Sequence, residues 1–420
     1  MWTKKYATAV IAAGVFAATS NAHANAPCNA PTAKDGETAL PGTVIVFTGS
    51  SAAKPMLKAA SAVLAKLQPA IRLVYQSVGS CQGLSGVTTG TQEKQTGTYW
   101  DELQNANGEV ACDTPGVVPD VAISDVFASS CNNITIPADQ NEFSGSSQVF
   151  EFIVPPKSKA DSISQEAAYV VFGWGGVTNT ASPWTDVNYI YRRGATSGTY
   201  SMLTKLIGLD ITKLKGTCPD GVACKAKTGE ILTAVHNADA TVPDKAIGVV
   251  AADAGDPSRG GMNAVKQLAY QPKGAACGLY PDSGKSTLDK ANVRNGLYPF
   301  WGPLHFTTKV TNGDPSNPSV KTALSYFTRI GLSDPGANKL MIDAEVSAST
   351  VPLCAMHVTR SSEVAVNDSG LVPFTPAAGI CGCYFESKVG TAGASCKACT
   401  KDMECSGGTP KCNYGYCEAK

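Results

Sequence analysis

Several apolar runs of this chain break off into turns of small polar residues, and that recurring pattern limits the folds open to it. Thr43-Val44-Ile45-Val46-Phe47 gives way to Thr48-Gly49-Ser50-Ser51-Ala52-Ala53-Lys54-Pro55. Ile71-Arg72-Leu73-Val74-Tyr75-Gln76 gives way to Ser77-Val78-Gly79-Ser80-Cys81-Gln82-Gly83, and Pro119-Asp120-Val121-Ala122-Ile123 to Ser124-Asp125. Each run reads as a buried strand. Between the first two, Met56, Leu57, Ala60, Val63, Leu64 and Leu67 recur at helical spacing, as in a helix that covers a sheet. The pattern predicts an α/β sheet with a site beyond the carboxyl ends of its strands.

A fourth turn carries the most chemistry. Val187-Asn188-Tyr189-Ile190-Tyr191 is β-prone, Arg192-Arg193-Gly194-Ala195-Thr196-Ser197-Gly198-Thr199-Tyr200-Ser201 follows, and Met202 to Ile207 has helical spacing up to a stop at Gly208. Strand, polar turn and helix start together leave unpaired backbone N–H groups at the helix N-terminus. Ser197 and Thr199 add hydroxyls, Gly198 lets an anion approach the backbone, and Arg193 adds a charged fork: a ready oxyanion site. A simple capped strand-to-helix turn with an exposed Arg would look the same in sequence. The turn lacks the Lys of a Walker loop, which argues against a nucleotide P-loop.

Further on, Gln148 to Val154 alternates and stops at Pro155-Pro156, and Ser162-Ile163-Ser164-Gln165 predicts a helix running through Phe172. Gly229 to His236 reads as a helix and Ala246 to Ala251 as a buried strand. Leu297 to Phe306 is extended but interrupted by Pro299 and Pro303, which predicts an edge strand. Two amphipathic helices are expected near 320–330 and 336–346. Charged residues make up only 16% and formally cancel, so nothing suggests a polyanion, and nucleic acid is excluded as a partner.

Residues 1–24 read as a signal peptide. Lys4-Lys5 precede an apolar run from Ala7 to Ala18, and Ala22-His23-Ala24 is a small-x-small cleavage site. Asn25-Ala26-Pro27 before Cys28 is a poor lipobox. The expected location is the periplasm or the cell exterior, where most of the 15 cysteines would be disulfides. Seven fall in the last forty residues: Cys381, Cys383, Cys396, Cys399, Cys405, Cys412 and Cys417. That segment is too short and polar for an apolar core, so 381–420 is expected to be an independent, disulfide-stapled tail. Cys396-x-x-Cys399 leaves zinc as the sharper alternative. Cys218 and Cys224 suggest a small disulfide loop. Fifteen is odd, so one thiol is unpaired or pairs between chains.

Taken together, Gly49-Ser50-Ser51 with Pro55, Tyr75 to Ser80, Ser124-Asp125, Arg193 with Ser197-Gly198-Thr199, Ala246-Ile247-Gly248 and Tyr298-Pro299 resemble the phosphate-binding subunit of bacterial ABC importers. That family is a type II periplasmic solute-binding protein of the Venus-flytrap kind. The resemblance runs from about Thr43 to about Val358. It implies an α/β fold of two lobes, 40–147 with 300–376 and 148–299, joined by crossings near Gln148–Val154 and Tyr298–Phe306. It also implies capture of a small oxyanion, phosphate favoured, without a cofactor or metal and with an ABC permease as partner. The family's contacts map onto Ala53 and Lys54 (through the backbone), Ser80, Asp125, Arg193, Ser197, Gly198 and Thr199. Two departures stand out: Ala53 where a Thr is usual, and Ala195 where a second Asp is usual.

Other classes compete. Gly79-Ser80-Cys81-Gln82-Gly83 follows a strand and could pass for a nucleophile elbow, with His236, His305 or His357 as base. No spacing ties a His to Cys81, so an enzyme is not expected. A surface or extracellular scaffold whose tail docks a partner is the other alternative.

Overall fold

A computed structural model describes residues 25, 27–32, 38–91, 96–101, 108–113, 117–131, 134–177, 180–221, 224, 227–261, 263–331, 335–366, 370–376 and 379–419. The expected leader, 1–24, lies outside the described residues. The strands are β1 (Thr43–Gly49), β2 (Ile71–Ser77), β3 (Gly97–Trp100), β4 (Glu109–Cys112), β5 (Val121–Ser124), β6 (Gln140–Val154), β7 (Ser162–Ser164), β8 (Gly248–Ala251), β9 (Lys266–Gln267), β10 (Ala269–Gln271), β11 (Trp301–Thr311) and β12 (Asp314–Pro315). The helices are α1 (Lys54–Leu64), α2 (Ser80–Thr89), α3 (Gln165–Trp174), α4 (Gly198–Ile207), α5 (Thr228–Asn237), α6 (Ala252–Gly255), α7 (Ala291–Arg294), α8 (Pro318–Thr328), α9 (Pro335–Ser347) and α10 (Gly382–Lys388).

The fold is α/β, and its main sheet runs β4-β3-β2-β1-β5-β11-β6-β8. β1 is parallel to β2 and β5, with Gly49 opposite Ser77 on one side and Ile123 on the other, so three carboxyl ends finish together. β11 is antiparallel to both β5 and β6, and β6 is antiparallel to β8. β8 therefore runs against β5, and its carboxyl end points back toward theirs. The two long strands β6 and β11 sit between the groups. α1, α8 and α9 cover the β1–β5 side around Phe47, Phe306 and Phe327, while Phe152, Phe172, Tyr200 and Tyr270 fill the other.

Two sequence expectations fail here. The run ending at Phe306 is a central strand, not an edge: β11 is paired on both sides, and its register slips between Pro303 and His305. A bulge there accommodates the missing Pro N–H inside the sheet. Residues 187–189 form a 3-10 turn, and only Ile190 and Tyr191 make isolated bridges, to Ile247 and Thr217. A smaller shift concerns α3, which is capped by Ser164, two residues later than Ser162.

The tail is not independent. Six of its cysteines pair among themselves, as Cys383–Cys396, Cys399–Cys412 and Cys405–Cys417, and Cys381 pairs with Cys354 of the body. Cys396 and Cys399 thus belong to different disulfides, which removes the zinc reading. Tyr384 and Phe385 are buried in the main core, Arg294 stacks on Phe385 at 5.1 Å and pairs with Glu386 at 2.9 Å, and Tyr384 donates to Asp343 at 2.6 Å. The short tail completes its core by borrowing that of the body. Cys28–Cys112 and Cys218–Cys224 also form, and Cys277 is the unpaired thiol. Phe385→Ala should cost about 3–5 kcal/mol in a single cooperative denaturant transition. A separate tail transition, with body stability unchanged, would restore the independent-module view.

Candidate functional site

The site lies where the carboxyl ends of β1, β2 and β5 meet helix α4. α2 begins at Ser80 after Gly79, whose φ of 100° few residues with a side chain would adopt. Asp125 follows β5 directly. Its backbone N–H donates to Ser80 Oγ at 3.2 Å, and its carboxylate accepts from the Ser50 and Ser80 hydroxyls. Gly198, the first residue of α4, presses on both: a Cβ there would collide with Ser80 Oγ and lie 2.9 Å from Asp125 Oδ2. Only glycine allows this approach.

Arg193 is buried, at 7% exposure, and its Nη1 donates to Thr228 Oγ1 at 3.3 Å. Burial pushes its guanidinium below the usual range, against the pull of Asp125, Tyr200, Tyr75 and Asp253. Arg192 is tied up elsewhere: Nε donates to Gly216 O at 3.1 Å and Nη1 to Arg193 O at 3.3 Å. The first backbone bond of α4 runs from Ser201 N to Ser197 O, so the N–H groups of Gly198, Thr199 and Tyr200 precede the helical ladder. Ser197 holds the N-cap position without making the side-chain cap bond.

Orphaned polar atoms mark the spot. Asp125 Oδ1, Ser197 Oγ, Thr199 Oγ1 and Asp253 Oδ1 are buried and have no hydrogen-bond partner within the protein. Each such atom costs about 1–3 kcal/mol unless something satisfies it. Two hydroxyls, two carboxylate oxygens and a nearby buried guanidinium can between them donate to and accept from a small polar ligand.

The structure thus brings Ser80, Asp125, Arg193, Ser197, Gly198 and Thr199 together. Ala53 and Lys54 begin α1 beside them, but their N–H groups close the preceding 3-10 turn, on Ser50 O and Ser51 O, and the Lys54 ammonium pairs with Glu109 at 2.6 Å. Sequence reasoning missed Ser50, Thr228 and Asp253. The signal for Asp253 was present: it stands two residues beyond the buried run ending at Ala251, much as Asp125 stands beyond Ile123. Cys81 is disulfide-bonded to Cys131, so no thiolate is available there and the nucleophile elbow is ruled out. Among the described residues no helix is long and apolar enough to cross a membrane.

No family model matches the sequence, and no curated protein matches it significantly. Similar solved structures include a phosphate ABC transporter substrate-binding protein from Clostridium perfringens with bound phosphate, at 14% identity and TM-score 0.46, covering 74% of this chain and 99% of that one. An ABC-type phosphate transport receptor from Vibrio cholerae is 15% identical at TM-score 0.44, covering 74% and 100%. A high affinity periplasmic phosphate-binding protein bound with phosphate is 15% identical at TM-score 0.46, covering 77% and 96%. At such values these likenesses decide nothing about the ligand, and the α/β topology rests on the strand pairing itself.

Burial pushes the Asp125 carboxyl up to about 6 from its ordinary 3.8, although the Ser50 hydroxyl, Arg193, His305 and Ser80 pull it down. A raised carboxyl pKa means that the folded protein holds the proton more tightly than the unfolded chain. Stability therefore falls as pH rises from about 3.8 to about 6 and stays lower beyond, by roughly 3 kcal/mol for a two-unit shift. In anion-free buffer at pH 7.5, Asp125→Asn should stabilise the protein by up to about that amount, and by nothing at pH 3.5. Urea unfolding at the two pH values reads the difference; a loss of stability at pH 7.5 would show the charge to be well compensated.

Proposed function

We propose that this protein captures a small tetrahedral oxyanion, phosphate in preference to sulfate, between two lobes comprising 40–147 with 300–376 and 148–299. The observation that carries this reading is the set of buried, unpartnered donors and acceptors around Arg193. Such atoms are tolerated where a ligand supplies the missing bonds. Ser197, Thr199 and the first N–H groups of α4 donate to the anion, Arg193 supplies the charge, and Ser80 holds Asp125 in place. An ionised Asp125 only accepts, so it bonds to P–O–H and repels a bare sulfate oxygen. Periplasmic or extracellular capture for an ABC permease is the role this chemistry suits best.

Calorimetric titration with phosphate, arsenate and sulfate tests the reading, and tight binding of the first two alone is the expected result. Arg193→Ala should cost on the order of 2–5 kcal/mol of phosphate binding, whereas Arg192→Ala, whose donors serve Gly216 and Arg193 carbonyls, should cost little. Asp125→Asn should admit sulfate and narrow the preference. Equal, small effects of both Arg substitutions would place the anion elsewhere.

A further inference from the structure

Asp253 belongs to no motif in the sequence, yet the sheet brings it to the anion site. β8 pairs antiparallel with β6, Ala251 opposite Phe150 and Val250 opposite Glu151. Past Ala251 the chain turns into α6, whose second residue is Asp253, so Asp253 stands at the end of β8 beside the stretch of β6 where Gln148 pairs with Gly302 of β11. From the other side, β5 ends at Ser124 opposite His305 and heads toward the same place: a Cβ on Gly302 would lie 3.2 Å from the Asp125 backbone oxygen. Two strands of opposite direction thus deliver one carboxyl each to the centre of the sheet. Both carboxyls have a buried Oδ1 with no partner in the protein.

The surrounding charges leave this pair under-compensated. Arg193 is the cation that both carboxylates feel. Asp256, one turn on, is committed to Arg259 and Lys290 at 2.7 Å each. Glu151 reaches α6 from β6 on the far side, against Gly255, and belongs to that same Arg259–Lys290 cluster. From α5, Glu230 caps Lys227 and His236 faces Ala264 O, and β8 carries no titratable group. The Tyr75 phenol, also nearby, is kept neutral by burial. Burial, then the charge of Asp125, pushes Asp253 well above the carboxylate range.

We propose, resting on the oxyanion reading above, that Asp253 is a second specificity carboxyl that makes anion capture proton-linked. On the alkaline side, where both carboxyls are ionised, they and one guanidinium carry a net charge of −1, which a dianion cannot join without a proton. That proton comes from solvent and sits on a ligand oxygen, as P–O–H donating to the Asp253 carboxylate, so one is taken up on binding. Asp253 favours hydrogen phosphate and hydrogen arsenate, and it disfavours fully deprotonated oxyanions.

Phosphate dissociation constants of the wild type and Asp253→Asn, measured by calorimetry from pH 6 to 9, test this. The titration of phosphate itself cancels in their ratio. The wild type should weaken relative to Asp253→Asn by about tenfold per pH unit on the alkaline side, the slope for one linked proton. Titrations of the wild type at pH 9 in two buffers of different ionisation enthalpy should show net proton uptake, and this needs no variant to fold. Identical pH profiles for the two proteins, or no uptake by the wild type, would overturn the role of Asp253 while leaving phosphate binding intact. A wild type that binds neither phosphate nor arsenate at any pH overturns the functional reading itself, and this proposal with it.

Discussion

One buried guanidinium has to answer for two carboxylates. Arg193 lies within electrostatic reach of Asp125, at the end of a strand running one way, and of Asp253, just past a strand running the other. Burying a carboxylate is costly unless it is paired or hydrogen-bonded, and a single cation cannot discharge both. The rest of the local structure follows from that shortage. Ser50 and Ser80 turn their hydroxyls to Asp125, Gly198 removes the Cβ that would keep α4 away, and the Ser197 hydroxyl leaves its own cap unmade.

Much of this was legible in the sequence because strand ends announce themselves. β1, β2 and β5 are apolar runs that stop in Gly, Ser or Asp, and six of the eight expected contact residues meet around those stops. What misled was proline. Pro303 points to an edge only if the ladder is regular, and a bulge between Pro303 and His305 lets β11 run through the middle of the sheet. Tyr189 to Tyr191 misled through propensity, since their β-prone side chains sit on a turn whose neighbours, Ile247 and Thr217, are fixed only by the fold. Asp253 went unread because nothing local says which way a strand runs. Its placement near Asp125 depends on β8 opposing β5, a fact of topology.

The tail shows the same limit from another side. Composition alone shows that residues from Cys381 onward cannot form an apolar core. It cannot say that Cys381 is bonded to Cys354, or that Phe385 lies under Arg294, because connectivity depends on which Cα atoms come within bonding range. Arg360, between the body and the tail, stacks on Trp301 at 4.5 Å and donates to Pro299 O at 2.6 Å. The polypeptide leading into the tail is therefore fastened to the start of β11, one of the two strands that separate the groups carrying Asp125 and Asp253.

That fastening bears on how the site would work. Its groups are divided between strand sets: Ser80 and Asp125 on one, Arg193, Ser197, Gly198, Thr199 and Asp253 on the other. Bringing them together sets Gly198 against Ser80, which is attractive only if the polar atoms enclosed there are satisfied. It also sets Asp253 near Asp125, which is repulsive while both are charged. A ligand with a proton to share relieves the repulsion and supplies the missing bonds at once. An anion without one meets the repulsion undiminished. On the proposed function, selection among oxyanions and assembly of the site would draw on the same interaction free energy, since a ligand shifts a conformational equilibrium only by its differential affinity for the two states. On that reading the coupling depends on the strand sets meeting, and Asp253 and Gly198 are among the groups that face the other set there.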